Sequence, residues 1–247
     1  MRERFSDMLP VESGAKIGPG PVEGAPTFAT MTLRGDDYRS QGARRKLVQE
    51  LRTKGISAVA VLDAIGQVPR HLFFEDSALR LHAYEDKPFP IGCGQTISQP
   101  YTVAFQTQLL EVRRGDRVLE VGTGSGYQTA VLTAMGAKVW SVERHRPLYL
   151  TTRTRLESLG YKAALYHGDG FQGLPAYAPY DRILVTCGAP YVPDPLVDQL
   201  RAGGVLVIPV GEGPVQRMIR IRRMDDGSID RQEHGDFRFV PMLADRR

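Results

Sequence analysis

The sequence predicts an α/β fold in which a mostly parallel central sheet carries helices on both faces and ends in an antiparallel hairpin. Three observations carry that expectation. Between residues 117 and 210, strand-like runs alternate with helix-like stretches, and repeated strand–helix units bring parallel strands side by side under helices. One of those strands, 117–121, reads as buried and runs straight into Gly122-Thr123-Gly124-Ser125-Gly126 before a helix-like stretch. Near the end, two strand-like runs, 216–224 and 229–240, flank Asp225-Asp226-Gly227-Ser228, a strong turn signal.

In chain order, residues 9–30 bring Pro10, Gly14, Gly18, Pro19, Gly20, Pro21, Gly24 and Pro26 with few large apolar side chains. Such a segment cannot bury enough surface to offset the entropy of ordering it. Residues 1–40 therefore read as a Gly/Pro-rich tail or linker, and 41–247 as a single folded domain. Residues 43–54 have helical patterning that stops at Gly55, the expected C-cap, and Ser57 is placed to cap a second helix through Ile65. Residues 87–100, punctuated by Pro88, Pro90, Gly92 and Gly94, read as a loop. Tyr101, Ala104, Phe105 and Leu109 recur at i, i+3, i+4 and i+8 and predict a helix from Tyr101. The parallel strands are expected at 117–121, 138–142, 163–167, 181–187 and 205–210.

Composition removes several function classes. The 247 residues are 42% hydrophobic and 24% charged, which is ordinary for a globular chain. The longest apolar runs, such as 205–210, fall far short of the ~18 residues of a bilayer-spanning helix, and the first seven residues lack the apolar core of a secretory signal. No membrane association and a cytoplasmic location are expected. Cys93 and Cys187 are too few for a disulfide scaffold or a multi-cysteine zinc site. His71, His82, His145, His167 and His234 show no metal-ligand spacing, so no metal is expected. A net charge of +4 and a pI of 9.1 would suit nucleic acid. The arginines, however, come in scattered pairs such as Arg113-Arg114 and Arg222-Arg223, with acids between them and no aromatic-interleaved basic stripe, so no nucleic-acid partner is expected.

The chemistry sits at the strand ends. Glycines at the carboxyl end of the first strand of an open α/β sheet let the backbone approach a ligand closely. The spacing here is G-x-G-x-G, not the G-x-G-x-x-G of a dinucleotide site, which argues against a nicotinamide dehydrogenase. Glu120, two residues before the first glycine, is unfavourable to a phosphate and suited to a ligand ammonium, the constellation expected for S-adenosyl-L-methionine. Glu143 ends the next strand, 21 residues after Gly122, where a carboxylate can accept hydrogen bonds from both ribose hydroxyls. Asp169, in Gly168-Asp169-Gly170 after the third strand, can accept one from an adenine amino group. Each feature alone also fits a plainer reading: a tight structural turn, a solvated strand-end acid, an Asp-Gly turn. Ser98 lacks the G-x-S-x-G setting of serine hydrolases, and it also stands where a helix N-cap would, ahead of Gln99-Pro100.

With these features in register, the chain resembles a class I methyltransferase of Rossmann-like fold. Gly94-Gln95-Thr96-Ile97-Ser98-Gln99-Pro100, the strand and loop at 118–128, Ala178-Pro179-Tyr180-Asp181-Arg182-Ile183, the run 203–211 and Arg238-Phe239-Val240-Pro241 are similar to the protein-L-isoaspartate O-methyltransferase family. The similarity spans about residues 45–243, and the Gln-Thr-Ile-Ser segment is its specific part. The resemblance implies protein repair: methylation of the α-carboxylate of L-isoaspartyl residues, and often of D-aspartyl residues. The ester then closes spontaneously to a succinimide that hydrolyses back toward Asp. It implies Ser98 as the active-site hydroxyl, and Glu120, Gly122, Thr123, Gly124 and Gly126 around the methionine part of S-adenosyl-L-methionine. Glu143 would hold the ribose and Asp169 the adenine, with Arg144 and Gly170 also among the cofactor-binding residues. Gln95, Thr96, Ile97, Val240 and Pro241 would line the substrate pocket. The implied partners are isoaspartyl-containing proteins and peptides, met by a monomer.

Two departures from the family pattern stand out. Thr186-Cys187-Gly188-Ala189-Pro190 replaces the usual alanine-rich stretch, and the first 40 residues are longer than the usual bacterial pattern. On the residues alone, a methyltransferase of another acceptor class and a non-catalytic binder of S-adenosyl-L-methionine stay open. Methyl transfer to an isoaspartyl peptide and not to its Asp counterpart separates the three.

Overall fold

The computed structural model describes residues 35–244. Residues 1–34, and with them most of the expected tail, lie outside that range. The last residues of the expected tail are already helical. Helix α1 (Tyr38–Thr53) starts at Asp37, whose carboxylate accepts from Ser40 N at 2.7 Å, so a polar cap sets the start ahead of the apolar pattern. Its end follows the expectation. Gly55 is left-handed at φ +94°, and the N–H groups of Gly55 and Ile56 return to the carbonyls of Arg52 and Leu51 at 3.0 and 3.1 Å.

Helix α2 (Val59–Gln67) is not capped by Ser57. Its N-cap is Ala58, and the backbone N–H groups of Ser57 and Ala58 both donate to Gln108 Oε1, at 2.8 and 2.9 Å. A side chain from a distant helix thus holds the chain where it enters α2. After α3 (Ser77–Arg80), the expected loop at 87–100 is a two-stranded antiparallel ribbon, β1 (Phe89–Gly92) with β2 (Gln95–Ile97). Its turn is Cys93-Gly94, with φ +52° and +69°, the mirror-image geometry that suits a two-residue hairpin. The glycine that read as loop punctuation is what this turn requires, and strands of four and three residues are too short to show alternation.

Helix α4 (Pro100–Leu110) begins with proline in its first turn. Tyr101 and Phe105 of the expected apolar stripe stay half-buried, while Thr102, Val103, Ala104, Gln106, Thr107 and Leu110 are buried. The reason is placement, since α4 touches α1 and α2 as well as the sheet and has no single core face.

The alternating region follows: β3 (Arg117–Val121), α5 (Tyr127–Ala134), β4 (Lys138–Glu143), α6 (Arg146–Ser158), β5 (Ala163–His167), β6 (Tyr180–Val185), α7 (Asp194–Asp198) and β7 (Leu200–Val210). β8 (Gln216–Arg223) and β9 (Ile229–Phe237) form the closing hairpin. The sheet runs β5-β4-β3-β6-β7-β8-β9, parallel from β5 to β7 and antiparallel thereafter. The chain proceeds outward from β3 to β5 on one side and from β6 on the other. Strand order therefore reverses between β3 and β6, and a ligand crevice forms outside strand carboxyl ends at such a point.

Both faces of the sheet are covered. Leu119, Val121, Ile183, Val185, Leu206 and Ile208 pack with Leu196 of α7 on one face, while Val118, Leu184, Val205 and Val207 pack with Leu110 of α4 and Leu132 of α5 on the other. Among the described residues no helix is long and apolar enough to cross a membrane.

Candidate active site

The floor of the crevice is the turn that leaves β3. Gly122 has φ +97°, and a Cβ there would lie 2.5 Å from Thr186 Oγ1; Gly126 has φ +86°, and a Cβ there would lie 2.8 Å from Thr152 Cγ2. Neither position admits a side chain: at Gly122 the crevice meets bare backbone, and at Gly126 the turn closes against α6. The turn is held from both sides: Thr186 Oγ1 donates to the Gly122 carbonyl at 2.7 Å, and Thr152 Oγ1 to the Gly124 carbonyl at 2.6 Å.

Glu143, at the end of β4, is 4% exposed. Its Oε2 accepts from Gly124 N at 2.9 Å and its Oε1 from His145 N at 2.8 Å. Two backbone donors thus fix the carboxylate in the crevice wall, and each oxygen has capacity to accept a second hydrogen bond.

Glu120 does not meet the crevice, contrary to its expected contact with a ligand ammonium. Strand alternation turns it with Val118 toward α5, where it is fully buried. Its Oε2 accepts from Thr129 Oγ1 and, at 2.8 Å, from Ser141 Oγ, while Oε1 has no hydrogen-bond partner among the described residues. Burial pushes the Glu120 carboxyl up to about 7 against those two hydroxyl hydrogen bonds, with the charge of Glu143 acting in the same direction as burial. Ser141 Oγ also pairs with Thr123 Oγ1 at 2.6 Å. Glu120 therefore supports the glycine turn through Ser141 and Thr123.

The other expected residues divide cleanly. Gly122, Thr123 and Gly124 line the crevice together with Glu143 and Arg144 of the β4 exit. Gln95, Thr96, Ile97 and Ser98, from β2 and its exit, form another part of the wall, and Gly170, Val240 and Pro241 complete it. Gly126 and Asp169 stand outside that wall. Gly126 is packed against Thr152 and Leu156 of α6, and Asp169 caps the 3-10 turn Gly170–Gln172, its Oδ1 accepting from Phe171 N at 2.9 Å.

Ser98 occupies a junction. A second cavity, walled in part by Tyr101, Phe237 and Phe239, shares Thr96, Ser98, Thr186 and Val240 with the crevice. Ser98 is not the cap of α4. That N-cap is Gln99, without a side-chain hydrogen bond, and the donor at Tyr101 N goes to Asp86 Oδ1 at 2.7 Å.

Sequence reasoning missed Thr186 and Cys187, which it placed inside a strand at 181–187. β6 ends at Val185, so both residues fall in the crevice wall. The available signal was position, the first residues beyond the strand paired to β3 at the reversal of strand order. Burial, and then the charge of Glu143, push the Cys187 thiol up to about 12, so it lines the crevice as a neutral group.

A family model described as protein-L-isoaspartate(D-aspartate) O-methyltransferase matches residues 42–247. The protein-L-isoaspartate O-methyltransferase of Christiangramia forsetii is 57% identical over 212 residues, covering 85% of this chain and 99% of the relative. That of Cytophaga hutchinsonii is 54% identical over 209 residues, covering 85% and 94%. Among solved structures, a candidate protein-L-isoaspartate O-methyltransferase of Plasmodium falciparum, in complex with S-adenosyl-L-homocysteine, superposes with a TM-score of 0.71 at 26% identity, covering 81% of this chain and 98% of that one.

Proposed function

The chain belongs to the protein-L-isoaspartate(D-aspartate) O-methyltransferase family, and on that premise we propose that the glycine-floored crevice holds the methyl donor, the adjoining cavity holds the damaged segment, and Ser98 serves at their junction. The activity is transfer of the methyl group of S-adenosyl-L-methionine to the α-carboxylate of L-isoaspartyl residues in damaged proteins and peptides. The observation that carries the site assignment is the meeting of the two cavities at Ser98 and Thr186.

The crevice suits that donor. Its floor at Gly122 is backbone, where a Cβ would collide with Thr186, and Glu143 offers two anchored carboxylate oxygens in the wall for a pair of ribose hydroxyls. Gly122, Thr123 and Gly124 hold the methionine part, Arg144 and Gly170 flank the nucleoside, and Asp169, one residue from the wall, takes the adenine amino group. Glu120 acts as a positioning residue behind Thr123. When bound, the donor supplies a methyl group on a positively charged sulfur, and the bonding electrons return to that sulfur as the ester forms.

No strong base is required. An acceptor carboxylate with a pKa near ~4 is already ionised at neutral pH, so what the protein contributes is alignment, worth ~7–11 kcal/mol when reacting groups are held in attack geometry. Ser98 donates a hydrogen bond that orients the carboxylate, and Gln95 to Ile97 with Val240 and Pro241 hold the substrate chain. The enzyme is proposed to act as a monomer. Its location is proposed to be cytoplasmic.

Two variants test the division of labour. Calorimetry on Glu143→Ala is expected to show S-adenosyl-L-methionine binding weakened by about 10-fold or more, since a hydrogen bond to a charged group is worth ~1.5–3 kcal/mol. Ser98→Ala is expected to bind it normally and turn over slowly. Unchanged binding in a folded Glu143→Ala removes the ribose assignment.

A further inference from the structure

We propose that the cavity beside Ser98 receives the side chain of a substrate residue adjacent to the isoaspartyl residue, and that its aromatic wall selects an aromatic side chain there. The inference rests on the methyl-transfer site described above and names a preference of its substrate.

The cavity measures about 640 Å³, within the range of sites that enclose whole small molecules. An isoaspartyl carboxylate at Ser98 leaves most of it open. Neighbouring residues of a peptide follow at a Cα spacing of about 3.8 Å, and the isoaspartyl linkage adds one backbone atom. A side chain next to the damaged residue is therefore the group that arrives in a space sharing Ser98, Thr186 and Val240 with the crevice.

The walls define the chemistry of that side chain. Tyr101 and Phe237 lie 6.5 Å apart with their rings nearly parallel at 13°, and Phe239 lies 6.5 Å from Phe237 at 48°. Val215, 39% exposed, and Pro88 add apolar surface. Two charged residues stand among the lining, Arg238 and Asp236, the latter paired with Arg217 at 3.2 Å. Offset and edge-to-face packing against three rings favours an aromatic occupant over an aliphatic one of equal area. The lining strand is also the outer strand of the sheet, and an extended peptide can lie along such an edge.

The test uses the full chain and isoaspartyl peptides that differ only in carrying Phe, Gly or Asp immediately before or immediately after the isoaspartyl residue. At one of those two positions kcat/KM is expected to be about tenfold higher for Phe than for Gly, equivalent to ~1.4 kcal/mol, and the difference should lie in KM. Asp there should be no better than Gly. Val215→Asp, which puts a charge on the apolar wall, should bring the Phe-to-Gly ratio of kcat/KM below about threefold. A Phe preference below about threefold at both positions overturns the proposal, as does a preference that survives Val215→Asp. If no isoaspartyl peptide of the set is methylated, the function assigned to the site fails and the proposal falls with it.

Discussion

Ser98 owes its availability to Asp86. A serine just ahead of a proline-led helix is a natural cap, yet the Asp86 carboxylate takes the Tyr101 N–H and also binds Lys54 Nζ at 2.6 Å. Ser98→Ala is therefore expected to leave the melting temperature unchanged while lowering kcat/KM by about 10- to 100-fold, the loss of one hydrogen bond to a charged group. Wild-type turnover would make the serine a bystander. Glu120 gives the opposite case, a residue buried behind the crevice wall. Its folded pKa, raised to about 7 by burial, exceeds that of the unfolded chain, so between about pH 4.5 and 7 the native state holds a proton that the unfolded state has released. Stability from this group is full below that window and declines as pH rises through it, by an amount on the order of 3 kcal/mol. Denaturant titrations across that range should show Glu120→Gln with a flatter pH dependence than the parent; identical slopes would contradict the assignment. The acid before the glycines was legible in the sequence, but its direction was not, because which face a strand residue takes depends on the helix packed over it.

At the level of elements, the parallel strands were the most legible part. β3 and β5 fall on the expected bounds, and all six residues of β6 are buried: Ile183, Leu184 and Val185 form the apolar end that a strand covered on both faces produces, while Asp181 and Arg182 are buried with the Arg117 N–H, Arg201 and Asp116 as partners. What escaped were features settled by distant partners. The ribbon β1–β2 shows no periodicity of its own, and the entry to α2 is held by Gln108 of α4, about fifty residues away. Gln108→Ala is accordingly expected to destabilise the fold by ~1 kcal/mol in chemical denaturation, since it removes an acceptor shared by two backbone N–H groups. Ser57→Ala should cost a few tenths of a kcal/mol at most, because its hydroxyl stands 3.5 Å from Gln108 Oε1 and caps nothing. A larger loss at Ser57 than at Gln108 would reverse that ranking.

For the molecule as a whole, sheet order makes the site. Reversal between β3 and β6 collects the glycine turn, Glu143 and Thr186 around one crevice, and the ribbon and the exit of β9 bring Ser98 and Val240 across it. The first group could be read from sequence because each member sits at a strand end. The second needed family resemblance, since nothing local links residue 98 to residue 240. Selectivity must arise at this level, because a carboxylate occurs on every Asp, Glu and C-terminus, and only the placement of the main chain around the junction distinguishes an α-carboxylate displaced by one methylene. Methyl transfer from S-adenosyl-L-methionine to two flexible peptides that differ only in an isoaspartyl or a normal aspartyl linkage measures this directly. The expected result is turnover of the isoaspartyl peptide and none of its counterpart, whereas comparable kcat/KM for the two would mean that the junction at Ser98 does not read the linkage.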